Sequence, residues 1–312
     1  MGLERLTFID LPAHEGDGGF DHAGVHGATG HCYVAHTAND AVDVIDLTAA
    51  TYVGSITGLA AVAGALVDDA SGLVFTSNRG ENTVGIIEVG STPVVTKVEV
   101  GLRPNGLAYD PGRRRLLVAH VGDPAIAGSR TVSIVDVESR RRVLDVPVPG
   151  RTRWTVFDPQ ADAFHVNIAD PAQIVVVDAG NPVALRRHVD VPHAGPHGLD
   201  IDVAQRRIIS ACDAGVLVAL HADTGAVLHT APLSGAPDVI FLNRALRRVY
   251  VAIADPGVID VFDSSSFKRL ETVTTEPGAH TIAFDERRNM VCAFLPESHR
   301  AALYVDRASA GG

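Results

Sequence analysis

The chain has 312 residues, with 37 acidic and 26 basic side chains and a formal net charge of −11. This charge argues against nucleic acids and anionic membrane surfaces as main partners, because both repel an acidic protein. No apolar run reaches membrane-spanning length, and the first twelve residues are polar and mixed, unlike a secretion signal. We therefore expect a cytoplasmic protein, with Cys32, Cys212 and Cys292 as buried free thiols.

A motif of about 42 residues repeats along the chain, which is typical of repeat architectures. Each copy opens on a turn and continues as a strand that closes on an acidic or amide residue, as Asn105 to Asp110 does. The copies start at residues 22, 63, 105, 153, 197, 238 and 280. The strands are rich in Val and Ile, and no segment has a sustained apolar period of 3.6, so the sequence predicts an all-β protein.

The third copy illustrates the organisation of one repeat. It predicts strands near residues 105–110, 116–119, 131–137 and 142–147, separated by turns that contain Gly, Pro or Asp. Four short antiparallel strands, repeated seven times, indicate a seven-bladed β-propeller. The longer interval after the third start reflects an insertion from Asp123 to Ser129.

The two ends of the chain are expected to meet in the last blade. The seventh copy supplies only three strands, at 280–285, 290–295 and 301–305, so Arg5 to Leu11 is predicted to provide the fourth. This pairing would close the ring and protect sheet edges that would otherwise be exposed. We therefore predict one domain over residues 1–312.

The second and third strands of several copies resemble the YVTN-type propeller repeat. Examples are Tyr33 to Thr37 followed by Ala41 to Asp46, and Tyr250 to Ile253 followed by Val258 to Asp263. The resemblance covers nearly the whole chain and extends to lactonase-like and virginiamycin B lyase-like propellers. It implies a propeller that binds a divalent metal ion in its central channel. Fold alone does not determine function, which depends on the residues of the site.

The first residues of the innermost strands should converge on one mouth of the channel. These ring positions hold His22 (or Asp21, one residue earlier), Ala63, Asn105, Arg153, His197, Asp238 and His280. Imidazole and carboxylate ligands suit Zn, Fe, Mn or Ni, so we predict a divalent metal ion, which could also be Mg, held by His22, His197, His280 and Asp238, with Asn105 as a further group. A water-filled polar channel and metal-free acid–base catalysis by a histidine remain as alternatives.

Other side chains near the mouth suggest roles in substrate binding and proton transfer. Arg153 and Arg103 could clamp a carboxylate or another oxyanion, although Arg153 could equally be a surface arginine packed on Trp154. Glu276 or His120 is the candidate proton acceptor.

A second ring is predicted at the ends of the second strands. It comprises His36, Asn78, His120, Asn167, Asp213 and Glu297. The YVTN pattern places an asparagine here, where its side chain would tie down the following loop. The asparagines are therefore interpreted as structural, while function is left open for the two histidines.

Together these patterns predict a metal-dependent enzyme that acts on a small oxygen-rich or anionic molecule at the channel mouth. Lactone or ester hydrolysis and lyase-type elimination both fit such a site. The alternative is a non-catalytic binding or interaction propeller whose channel is polar and filled with water. The expected partner is a small-molecule substrate, with no nucleic acid and no membrane.

Overall fold

In the computed structural model, which describes residues 2–90 and 93–307, the chain forms seven four-stranded antiparallel sheets arranged as blades. The predicted all-β, seven-bladed propeller is thus confirmed. Residues 1, 91–92 and 308–312 of the predicted domain lie outside the described residues.

The chain begins with β1 (Leu3–Asp10), which belongs to the last blade. The first three blades then follow in chain order: β2 (Phe20–His26), β3 (His31–His36), β4 (Ala41–Asp46) and β5 (Thr51–Thr57) in blade 1; β6 (Val62–Asp68), β7 (Leu73–Asn78), β8 (Thr83–Glu88) and β9 (Val94–Glu99) in blade 2; and β10 (Pro104–Asp110), β11 (Arg115–His120), β12 (Thr131–Asp136) and β13 (Arg141–Pro147) in blade 3. A short 3-10 helix at Thr37–Asn39 joins β3 to β4. The predicted insertion at 123–129 lies in the loop between β11 and β12.

The remaining blades repeat this plan. Their strands are β14 (Thr152–Asp158), β15 (Ala163–Ile168), β16 (Gln173–Asp178) and β17 (Leu185–Asp190) in blade 4; β18 (Pro196–Asp202), β19 (Arg207–Cys212), β20 (Val216–His221) and β21 (Val227–Pro232) in blade 5; β22 (Pro237–Asn243), β23 (Arg248–Ile253), β24 (Val258–Asp263) and β25 (Arg269–Thr274) in blade 6; and β26 (Ile282–Asp285), β27 (Met290–Leu295) and β28 (Arg300–Asp306) in blade 7. Within residues 2–90 and 93–307, no helix is long and apolar enough to cross a membrane.

The ring closes as the sequence predicts. β1 pairs antiparallel with β28, Ile9 lies opposite Ala301, and blade 7 has the strand order β1, β28, β27, β26. Apolar side chains then fill the space between blades 7 and 1, where Ile9, Cys32 and Phe294 belong to one buried cluster. All three cysteines are buried and free, and burial raises the pKa of the Cys212 and Cys292 thiols to about 12.

A β-bulge recurs at the start of the innermost strand in blades 1 to 6. In blade 3, Pro104 pairs with His120 and the next pair joins Leu107 to Val118, so the inner strand carries one extra residue. The same irregularity follows Phe20, the first residue of β2, in blade 1. Bulges redirect the side chains of the residues they contain, and here those residues are the ones at the channel mouth.

Candidate functional site

The pairing of the strands settles which residue of blade 1 belongs to the ring. Phe20 pairs with His36 as Pro104 pairs with His120, so Asp21 is equivalent to Asn105 and His22 lies one residue further into the channel. The ring at the mouth therefore reads Asp21, Ala63, Asn105, Arg153, His197, Asp238 and His280. His22 instead lies level with Trp154.

His197 stands between two carboxylates at this ring. Its Nδ1 lies 2.7 Å from Oδ1 of Asp213, which follows β19, and its Nε2 lies 3.1 Å from Oδ1 of Asp238. Burial opposes the charged imidazole, but the charge of Asp238 and hydrogen bonds to both carboxylates outweigh it and raise the pKa of His197 to about 9. His197 is therefore a cation at neutral pH.

Arg153 completes this part of the ring. Its guanidinium lies 3.2 Å from Oδ2 of Asp213 and 3.0 Å from Nε2 of His197. That nitrogen can accept a hydrogen bond from Arg153 only when the imidazole is neutral. At neutral pH the site thus holds two adjacent cations, which Asp213 and Asp238 bring together.

Asp238 is the anionic centre of the ring. Burial alone would raise its pKa, but the positive charge of His197 and its hydrogen bond outweigh burial and hold the pKa well below its usual range. The His280 Nε2 lies 3.9 Å from its Oδ2, too far for a hydrogen bond. The Oδ1 atom is buried and faces Nε2 of His197 at 3.1 Å.

Arg79 occupies the space that Ala63 leaves in the ring. Arg79 follows β7, and its Nη2 lies 3.2 Å from Oδ2 of Asp21 and donates to the amide oxygen of Asn105. Blades 1, 2 and 3 are joined in this way by one guanidinium group. Asn105 accepts from an arginine here, so its oxygen is already in use.

Four arginines come together on this side of the mouth. Burial and the positive charges of Arg153, Arg79 and Arg103 all lower the pKa of Arg151, so these three side chains lie within electrostatic reach of Arg151. They come from blades 2, 3 and 4, whereas His197, Asp238 and His280 come from blades 5, 6 and 7. One half of the mouth therefore carries the arginines, of which Arg79 and Arg153 pair with carboxylates, and the other half carries the histidines.

Several buried donors at the mouth are unused. Arg79 Nε, Arg153 Nε and Trp154 Nε1 are buried and have no hydrogen-bond partner in the part of the chain that the structure describes. Buried polar groups are nearly always satisfied by protein, water or ligand, so donors of this kind indicate a place for acceptor atoms.

Trp154 and His22 form the floor of the mouth. Their rings lie 4.2 Å apart between centroids and are inclined by 36°. Burial is the largest effect on His22 and lowers its pKa, although Asp21 and Asp238 oppose this. His22 is thus a neutral ring that packs on the only tryptophan of the chain.

The predicted metal ligands do not form a preformed metal centre. No group of three or more His, Cys, Asp or Glu side chains within residues 2–90 and 93–307 is arranged to hold a metal ion. A metal at Nε2 of His197 would have to displace Asp238 and would lie next to the Arg153 guanidinium. The His197, His280, Asp238, His22 and Asn105 set is assembled at one mouth, but its polar atoms pair with one another and with arginines.

Glu276 has a structural task. Its Oε1 accepts hydrogen bonds from the backbone amides of Glu297 and Ser298, at 2.8 and 3.2 Å. These bonds hold the loop between β27 and β28. Arg103 is exposed at the mouth, with a left-handed backbone (φ 54°), and its amide donates to Oδ1 of Asn82.

His120 lies inside blade 3, away from the channel mouth. Its Nδ1 lies 2.8 Å from Oγ1 of Thr131, and its Nε2 accepts from the backbone amide of Gly101 at 3.2 Å. In blade 2, Asn78 takes the same position and donates to Oγ1 of Thr83 at 3.0 Å. His120 thus replaces the loop-tying asparagine, and it is not placed to accept a proton from a ligand at the mouth.

Acidification should destabilise the protein through His120. Burial lowers the pKa of His120 from 6.5 to about 4, so the unfolded chain binds more protons than the folded one between these values. Stability is expected to fall by up to about 3 kcal/mol as the pH drops through this window. His120→Asn should flatten this part of the pH profile of urea unfolding, since an asparagine can keep the bond to Thr131. An unchanged profile in the variant would assign the acid sensitivity to other groups.

The register of the second ring was predicted only in part. His36, Asn78 and His120 are equivalent last residues of second strands, but Asn167 lies one residue before that position and Asp213 one residue after it. His36 is buried in blade 1, where its Nδ1 lies 2.7 Å from Oδ2 of Asp43. Arg79 and Asp213 each come directly after the second strand of their blade. This shared position is the sequence signal that would have identified both as partners of ring residues.

Comparison with known proteins supports the architecture alone. No protein-family profile matches the chain, and no curated protein matches it. Among solved structures it is similar to a chain of hydrazine synthase from Kuenenia stuttgartiensis, with a TM-score of 0.80, 12% identity, and coverage of 96% of this chain and 97% of that one. At this identity the likeness shows that the chain has a seven-bladed propeller fold, and it does not extend to function.

Proposed function

We propose that the protein is an enzyme that acts on a small, oxygen-rich anionic molecule at the channel mouth. The observation that carries this proposal is the set of buried, unpartnered donors on Arg79, Arg153 and Trp154. Guanidinium groups in this setting suit a carboxylate, because each presents several donors in a fixed plane.

Charge supports the same ligand class. The chain as a whole is acidic, with a net charge of −11, yet four arginines gather at the mouth. Placing like charges together costs free energy, which Asp21 and Asp213 offset in part and a bound anion would offset further. A small carboxylate that also carries a lactone, ester or hydroxyl group fits the proposal.

His280 is the residue best placed to move a proton. Its Nδ1 must donate to the carbonyl oxygen of Gly278 at 2.8 Å, because a carbonyl only accepts, and this leaves Nε2 as an acceptor in the neutral ring. Its side chain is 32% exposed, whereas that of His197 is 13% exposed and is held as a cation by two carboxylates.

The chemistry follows from these positions. His280 Nε2 would take a proton from water during hydrolysis, or from carbon during elimination, and would return it to the leaving oxygen. The arginines and protonated His197 would stabilise the negative charge that develops on the substrate oxygen. Of the acceptors predicted from sequence, Glu276 already accepts two backbone hydrogen bonds at Oε1, and both ring nitrogens of His120 are engaged inside blade 3.

Metal dependence stays a prediction, as does membership of the lactonase-like propellers, and the donor geometry described above argues against a preformed metal site. Elemental analysis of protein purified without chelator tests it, beside a His197→Ala, His280→Ala variant. About one equivalent of metal in the native protein, lost in the variant, would restore the metal-dependent form of the proposal. A cytoplasmic location also remains a proposal.

A non-catalytic anion-binding propeller is the second candidate. It is favoured by the commitment of His197 and Arg153 to Asp213, since such a network can hold a ligand without changing it. His280→Gln separates the two candidates: binding without turnover in both proteins supports the binding role, and turnover lost only in the variant supports the enzyme.

Removing one arginine should weaken anion binding strongly. Arg153→Met is expected to reduce affinity for oxalate, malate or citrate by about tenfold to hundredfold in isothermal titration calorimetry, because a charge-assisted hydrogen bond contributes about 1.5–3 kcal/mol. Arg186→Met is the matched control, since Arg186 is half-exposed on the outer strand of the same blade. Equal affinities in all three proteins, or no binding of any of these anions or of phosphate to the native protein, would overturn the proposed anion site.

A further inference from the structure

The central channel contains a second chamber below the floor formed by Trp154 and His22. It is a cavity of about 500 Å³ that extends to the opposite end of the propeller, where the inner strands finish. Cavities of this size hold drug-sized molecules in other proteins. None of the seven residues in the ring at the mouth lines this lower chamber, whereas His22 and Trp154, directly beneath the ring, do.

Five aromatic side chains line the lower chamber, together with aliphatic ones. Only 5% of the chain is aromatic, yet Tyr109, Trp154, Phe157, Phe241 and Phe284 all line it and are only partly buried. Trp154 packs edge-on against Phe241 at 6.3 Å between centroids, and Phe241 lies 6.4 Å from Phe284. These three rings form one continuous wall, and the faces of aromatic rings attract cations.

Carboxylates outnumber basic groups at the open end of the chamber. Five acidic residues line it, against two arginines: Asp68, Asp69, Asp200, Asp285 and Glu286, with Arg244 and Arg287. Both arginines already face acids of this set. Arg244 lies 3.9 Å from Asp200 and 3.7 Å from Glu286, and Arg287 pairs with Asp69. Asp285 is buried and pairs with Arg288 at 2.8 Å, so the surplus of negative charge is smaller than the five acids alone would give. The surplus that remains raises the local concentration of cations at the opening.

We propose that the lower chamber binds a small apolar organic cation, an amine or quaternary ammonium compound with an aromatic or alkyl body. The aromatic wall would cover the cationic head and the apolar body, and the rim carboxylates would favour its charge. The two ends of the channel therefore have opposite selectivity, with anions at the arginine-rich mouth and organic cations in the lower chamber. This inference does not depend on the anion site.

The test uses benzyltrimethylammonium as the probe, with benzyl alcohol and phenylacetate as neutral and anionic analogues. Titration calorimetry should give saturable binding of the cation, with weaker binding of the alcohol and no competition from phenylacetate. Trp154 is the only tryptophan and lines the chamber, so its fluorescence should change with the same dissociation constant.

Three variants locate the binding. Phe241→Leu removes one ring face while keeping an apolar side chain, and it should weaken binding of the cation by about fivefold or more. Glu286→Gln, at an exposed rim position, should weaken it by a smaller factor and is not expected to affect folding. Phe8→Leu, which changes an exposed phenylalanine on blade 7 outside the channel, should leave it unchanged.

Two results would overturn the proposal. One is the absence of cation binding to the folded native protein. The other is binding that Glu286→Gln and folded Phe241→Leu leave unaltered, or that phenylacetate matches in affinity. Retention of cation binding in Arg153→Met would separate this chamber from the anion site.

Discussion

Replacing Ile9 with aspartate should open the ring of blades and lower the free energy of unfolding by about 4 kcal/mol or more. Ile9 is 4% exposed and lies on β1, the N-terminal strand that completes blade 7. Its side chain packs in one cluster with Phe294 and Leu303. The substitution removes this packing and places a carboxylate in an apolar contact between the two ends of the chain.

The matched control for this prediction lies on the same strand. Leu6 is 47% exposed, so Leu6→Asp keeps the strand and adds the same charge without disturbing the cluster. Urea unfolding followed by far-UV circular dichroism should show a large decrease in midpoint for Ile9→Asp and a small one for Leu6→Asp. Equal midpoints for the two variants would mean that β1 contributes little to closure.

Replacing Asp238 with asparagine should remove the positive charge of His197 at neutral pH. The pKa of His197 is about 9 because Asp238 and Asp213 outweigh burial and Arg153. Without the Asp238 charge it should fall towards or below the ordinary 6.5, which imidazole NMR titration measures directly. Affinity for carboxylates at the mouth should then fall as well, because one cation of the site is lost.

Alkaline stability gives an independent measure of the same pair. A raised pKa means that the folded protein binds more protons than the unfolded chain between 6.5 and 9. The stabilisation is therefore fully present below 6.5 and is lost as the pH rises through 9, by up to about 3 kcal/mol.

Asp238→Asn should abolish this alkaline loss. Asp223→Asn, which removes an exposed carboxylate paired with Arg206, should keep it. A wild-type His197 titration in Asp238→Asn would show that Asp213 alone maintains the charge.

The repeated pattern made the blades and their closure predictable. Each copy repeats the same Val- and Ile-rich strands between turns that contain Gly, Pro or Asp, so the strands assigned in one copy could be assigned in all seven. The last copy lacks a fourth strand, and the strand near Phe8 precedes the first copy. The two were expected to belong together, because a propeller with an open edge would expose backbone groups. The pairing of Phe8 with Ala302 confirms that inference.

For the site, the sequence predicted only that its residues occupy equivalent positions in their blades. Equivalence among the copies brought Asn105, Arg153, His197, Asp238 and His280 to one mouth. It could not say that His120, an acceptable substitute for a loop-tying asparagine, lies inside its blade. Equivalence also left Asp21 and His22 interchangeable, and the bulge after Phe20 decides between them.

By itself, the sequence determined the number of blades, the order of their strands, the joining of the chain ends and the ring of polar residues at the mouth. These features follow from the Val- and Ile-rich strands, from the turns between them and from the period at which the copies recur. The tertiary structure alone decided the partners of those residues, such as Arg79 with Asp21 and His197 with Asp213. It also decided the separation of the channel by Trp154 and His22 into two chambers. The reason is physical: hydrogen bonding, charge and cavity shape depend on atomic distances between different blades and loops, and no sequence period specifies these distances.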